Sequence, residues 1–187
     1  MTASTLVVLS VVAIALGLLI FFSVPALRAY FTFRGKRLIT CPESHKPAAV
    51  EVAAGKAART ALLGDPTLRL NQCSRWPERQ GCGQECLQQV ETDPENCLVW
   101  NIVSNWYEGK KCVFCHKQFG PMHRIDHAPA LLAPDRTTAE WKDFRPEQLP
   151  DVLSTFEPVC WDCHITQTFH RVHPELVVER DWHHAPR

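Results

Sequence analysis

Cys112-Val113-Phe114-Cys115-His116 and Cys160-Trp161-Asp162-Cys163-His164 are two copies of one pattern, C-x-x-C-H, in a chain that holds nine cysteines and nine histidines among 187 residues. A two-residue gap lets both thiols of a pair reach a single partner. With nine histidines in 187 residues, the odds that both pairs are followed by His through chance are about 0.002, so the fifth position carries information. Such Cys and His usage reads as haem, metal or disulfide chemistry.

The order of residues suits covalent haem: two thiols add to the vinyl groups and the adjacent imidazole becomes the proximal iron ligand. On the two pentapeptides, and on a layout of anchor plus domain, the chain resembles the c-type cytochromes, specifically small membrane-anchored multihaem ones. The resemblance implies two haem c groups, tethered at Cys112, Cys115, Cys160 and Cys163, with His116 and His164 as proximal ligands. Candidates for the sixth position are His45, Met122, His123, His127, His170, His173, His183 and His184. His170 and His173 lie six and nine residues beyond His164, too close along one helix to reach the far face of the same porphyrin, so each is expected to serve the other haem. The same argument sends His123 or His127 to the second haem. Bis-His ligation would lower the potentials and Met122 would raise one of them. In this reading the two cysteine pairs lie well apart.

The competing reading is one tetrathiolate zinc site, because C-x2-C-x44-C-x2-C offers four soft ligands in two knuckles. Residues 110–119 have the look of a knuckle of the treble-clef or zinc-ribbon kind. Residues 130–141 would then form an intervening hairpin, and a helix is expected over 165–171. The 44-residue gap exceeds the usual one of about 15–20 residues.

No Asp, Glu, Lys or Arg occurs in the first 27 residues, and residues 6–27 (LVVLSVVAIALGLLIFFSVPAL) are long enough to cross a bilayer as a helix. A cleaved signal peptide would need a charged N-terminal region and a shorter apolar stretch. Arg28, Arg34, Lys36 and Arg37 all follow the span, which by the positive-inside rule puts the rest in the cytoplasm. Haem attachment takes place outside it. The soluble part of a single-pass cell-membrane protein is thus periplasmic if haem is bound and cytoplasmic if the charge bias holds.

Beyond residues 1–27, the anchor, the pattern divides into a basic stalk and linker over 28–69, a Cys-rich helical hairpin over 70–109 and the two-motif domain over 110–187. A strand is expected near 48–52 and a helix over 53–63, stopped by Gly64-Asp65-Pro66. Two further helices are expected over 84–91 and 97–107, the second with Leu98, Ile102 and Trp106 as its apolar stripe, and a last one over 146–156. The fold class is mainly α: one transmembrane helix, then a small, Cys-rich, loop-rich helical domain.

Five more cysteines, Cys41, Cys73, Cys82, Cys86 and Cys97, form an odd set. They allow two disulfides and a free thiol in an oxidising compartment, or a second thiolate site for zinc or an iron–sulfur cluster built from Cys73, Cys82, Cys86 and Cys97. Buried, inert thiols are the plainer reading. The six Trp are ordinary core and interface aromatics. Lys+Arg and Asp+Glu balance at 20 each, so no nucleic-acid partner is expected. No nucleophile elbow, phosphate loop, dinucleotide fingerprint or HExxH helix is present. The expectation is therefore a dihaem cytochrome passing electrons between a membrane partner and a second redox protein, an electron carrier more than a catalyst. Its alternative is a membrane-tethered, cytoplasm-facing zinc module.

Overall fold

The computed structural model describes residues 3–78 and 81–177; His183 and His184 lie outside them. The chain divides into two compact units, Met1–Ile102 and Val103–Arg187, with the boundary inside one helix.

The first unit opens with α1 (Ala3–Phe33), whose stretch Val7–Phe33 is long and apolar enough to cross a membrane. Those 27 residues span about 40 Å at 1.5 Å per residue, more than the hydrocarbon core of about 30 Å. The surplus is used inside the protein. Ala29 and Phe33, in its last turns, are buried in a core shared with Ile39, Val50, Val52, Ala57 and Val90. The helix passes through Pro25, a residue that removes one internal hydrogen bond.

Residues 28–69, expected as a stalk and linker, are folded. The β-strands β1 (Lys36–Thr40), β2 (Pro47–Val52) and β3 (Leu70–Cys73) form an antiparallel sheet in that order. Between β2 and β3 lies α2 (Ala54–Thr60), which packs on α1. Gly35 makes the corner from α1 into β1 at a φ of 99°, and a Cβ there would meet Leu98 Cδ1 at 3.1 Å, so both conformation and space ask for glycine.

Period-two alternation puts Arg37 on the same inward face of β1 as Ile39. Arg37 is wholly buried. Its guanidinium donates to the Thr32 carbonyl at the end of α1 and to the Pro94 carbonyl, so a cation closes the negative end of α1. Burial pulls its pKa below the usual arginine value, with the Cys97 thiol partly offsetting this. One of the four basic residues after the span is thus a structural cap, leaving Arg28, Arg34 and Lys36 exposed.

The hairpin helices are α3 (Leu87–Thr92) and α4 (Val99–Tyr107). α4 buries Val99, Val103 and Tyr107, one position along from the expected stripe, while Leu98, Ile102 and Trp106 are half-buried. In the second unit the fully buried Tyr107 donates its hydroxyl to the Ala130 carbonyl at 2.7 Å. Trp106 Nε1 donates to the Leu153 carbonyl at 2.8 Å. These bonds fix α4 against β4 (Ala130–Leu132) and α5 (Leu149–Thr155). A second antiparallel sheet has β4 between β5 (Thr138–Glu140) and β6 (Glu157–Val159), and α6 (Trp161–Val172) follows. The β4–β5 hairpin and α6 fall where the zinc reading expected them.

About 46% of the structure is helical and 16% strand, so the mainly α expectation holds only in part. In the second unit β6, which no reading of the sequence expected, is three residues long, too short to display a period. Replacing Arg37 by Met is expected to orphan the Thr32 and Pro94 carbonyls and to destabilise the first unit by about 2–3 kcal/mol, read as a lowered urea midpoint for the full chain in detergent.

Candidate metal centre

The first cysteine pair sits in a tight turn whose ends are joined by an isolated bridge between Lys111 and Gln118. The Cys112 amide donates to the Lys117 carbonyl at 2.9 Å, and the His116 amide to the Cys112 carbonyl at 2.9 Å. Closing the turn this way places His116 at a φ of 58°, the left-handed region in which His is enriched several-fold over other non-glycine residues. The Val113 amide donates to the Pro158 carbonyl at 3.0 Å, which pins the turn to β6.

The end of β6 delivers the second pair. Cys160 is the N-cap residue of α6 and Cys163 lies in its first turn. The four sulfurs of Cys112, Cys115, Cys160 and Cys163 all lie within 4.8 Å of one another, so the pairs converge on one point, as the tetrathiolate reading expected, where the haem reading expected two pairs well apart. Cys115 Sγ and Cys160 Sγ are 3.6 Å apart, and tetrahedral Zn–S bonds of about 2.3 Å require sulfurs about 3.8 Å apart. The Cys160 amide donates to Cys112 Sγ at 3.3 Å, the kind of outer bond that orients a thiolate toward a metal. The donor set and its spacing fit a tetrathiolate-bound ion.

Electrostatics separates the thiols. Burial opposes ionisation of Cys112, but the amides of Cys115, Cys160 and Phe114 outweigh it and bring the pKa down to about 7. Burial pushes Cys160 up, and the neighbouring thiols of Cys115 and Cys112 add to this. Cys163 is pushed up further, by burial and then by Cys160, Cys115 and Cys112. Cys112 is thus the most readily ionised of these three, and a divalent cation would displace the protons that burial holds on Cys160 and Cys163.

The histidines are elsewhere. His116 is exposed. His164 Nδ1 lies 2.9 Å from the hydroxyl of Thr138 on β5; no signal in the sequence marks Thr138. His127 stacks on the Trp161 ring at 4.9 Å, giving one tryptophan a packing role, and His123 is exposed with its amide bonded to Asp126. His170 is exposed on α6, and His173 pairs with Glu175 at 3.5 Å. Among the described residues none of them joins the sulfur group. Of the further cysteines, Cys97 directs its thiol to the Gln89 carbonyl at 3.7 Å.

Comparison with family models, curated proteins and solved structures finds no match for the chain.

Because Cys160 and Cys163 hold their protons at neutral pH, metal uptake releases at least those two. Affinity is therefore expected to fall as pH falls, by at least about a hundredfold per unit. Competition with a chromophoric zinc chelator between pH 6.5 and 8 measures the slope.

Proposed function

We propose that the chain is a membrane-tethered, zinc-binding interaction module of treble-clef type, in which Cys112, Cys115, Cys160 and Cys163 hold one structural zinc ion and perform no redox chemistry. The observation that carries this reading is the convergence of four sulfurs from a tight turn and a helix start within 4.8 Å. A closed four-sulfur site leaves no open coordination position for catalysis. Two haems, by contrast, each require their own sulfur pair along a porphyrin edge and an imidazole on one face. Support also comes from His116 and His164, whose positions are accounted for by the turn conformation and by Thr138. The α1 helix would serve as a single-pass anchor, and the basic residues after it favour a cytoplasmic module.

The test is the composition of the full chain, purified in mild detergent after expression with haem-attachment machinery and zinc both supplied. Zinc by mass spectrometry and no covalent haem in a pyridine-haemochrome spectrum are expected. Two covalent haems per chain would overturn the proposal and restore the dihaem electron carrier. A C-terminal alkaline phosphatase fusion should be inactive and a fluorescent fusion bright; the reverse pattern would place the module outside the cytoplasm.

A further inference from the structure

The turn that holds Cys112 has a counterpart in the first unit, at Cys41-Pro42-Glu43-Ser44-His45-Lys46, between β1 and β2. The Cys41 amide donates to the Lys46 carbonyl at 2.9 Å and the His45 amide to the Cys41 carbonyl at 2.8 Å. His45 takes a φ of 52°. These are the bonds and the left-handed histidine of Cys112 to Lys117, with Ser44 in the place of Cys115. The correspondence extends to the sulfur. As Cys112 is served by the amides of Phe114 and Cys115, so Cys41 is served by the hydroxyl and amide of Ser44 and the amide of Glu43, which lower its pKa against the effect of burial.

Two other thiols share a cavity with this turn, and a third lies on the same sheet. A cavity of about 240 Å³ is lined by Cys41, Glu43, Cys82, Glu85 and Cys86. Cys73, at the end of β3, belongs with Cys41 and Cys86 to the core of the first unit. Burial pushes the Cys86 thiol up to about 11, with smaller contributions from Cys73, Cys82 and Cys41.

From the shared turn and the thiol-lined cavity we infer that Cys41, Cys73, Cys82 and Cys86 form a second tetrathiolate site for zinc. This site differs from the sequence expectation by one ligand: Cys41 joins and Cys97 stays with Gln89. Among the described residues only the sulfurs of the second unit already lie within 4.8 Å of one another, so zinc would draw these four together as it displaces their protons. Arg75, which acts on Cys41 and pairs with Glu78 at 3.0 Å, offsets part of the charge a four-thiolate site accumulates. The shared turn takes its meaning from the zinc reading of the second unit, on which the inference rests, but the four cysteines are separate ones and each site can be tested without the other.

The experiment uses the full chain in detergent, with zinc alone as the probe and metal counted by native mass spectrometry. Wild type should carry two zinc ions. A Cys41→Ser/Cys86→Ser variant should carry one, and so should Cys112→Ser/Cys160→Ser. Equal zinc in wild type and Cys41→Ser/Cys86→Ser would overturn the second site while leaving the first intact. Equal zinc in wild type and Cys112→Ser/Cys160→Ser, with loss in the other variant, would uphold the second site and sink the first. A measurement without variants guards against misfolding: maleimide labelling of wild type should show Cys41, Cys73, Cys82 and Cys86 protected until a chelator is added, with Cys97 labelling unchanged by the chelator. Disulfides among those four in the zinc-loaded protein, or labelling that ignores the chelator, would overturn the inference.

Discussion

The Cys160 amide pointing at Cys112 Sγ joins positions 48 residues apart in sequence, and the second unit is arranged around that junction. One buried apolar cluster of that unit comprises Cys112, Ala130, Leu132, Val159 and Cys160. Two of these five side chains are candidate ligands, so the candidate centre lies within one of the unit's apolar clusters, while Tyr107, Leu131 and Leu149 are buried outside it. Closing a loop of that length costs about 3–4 kcal/mol of chain entropy, against apparent binding free energies of about 10–16 kcal/mol for structural zinc. A bound ion would therefore outweigh the closure several-fold.

The first unit is organised differently. Its sheet and α2 bury an apolar core of ordinary type, and the last turns of α1 belong to that core through Ala29 and Phe33. Arg37 closes the carbonyl end of α1 from within the sheet, so the candidate membrane helix continues into the fold without an intervening flexible stalk. The chain's basic flank thus serves structure at one position and leaves charge at the surface at three.

The histidine of the C-x-x-C-H pattern illustrates how one short motif can be written by two unrelated constraints. In haem attachment that residue ligates iron; in the turn at Cys112 it occupies a left-handed backbone position that histidine tolerates better than most residues. His45, which follows no second cysteine, adopts the same conformation in the same turn. The low odds of two such histidines arising by chance argue for a cause, and backbone conformation is a sufficient one at His116. At His164 the ring meets Thr138, a partner brought by the β4–β5 hairpin.

Much was legible in the sequence because it depends on local periodicity and composition: the apolar helix at the N-terminus, the strand ending at Val52, the helices α3, α4 and α5, and the four sulfur donors at Cys112, Cys115, Cys160 and Cys163. The stripe on α4 shows the limit of that legibility, since Leu98, Ile102 and Trp106 run beside Val99, Val103 and Tyr107, and only the position of Ala130 and its neighbours selects which row is buried. The same holds for the cysteines. Spacing within a pair is local, so each pair could be recognised, but whether two pairs share one centre depends on β6 pairing with β4 across the intervening residues. In the second site inferred for the first unit, Cys41 takes the place that sequence proximity favoured for Cys97 for the same reason: the pairing of β1, β2 and β3 carries the ends of distant strands to one edge, and that placement is a property of the folded sheet alone.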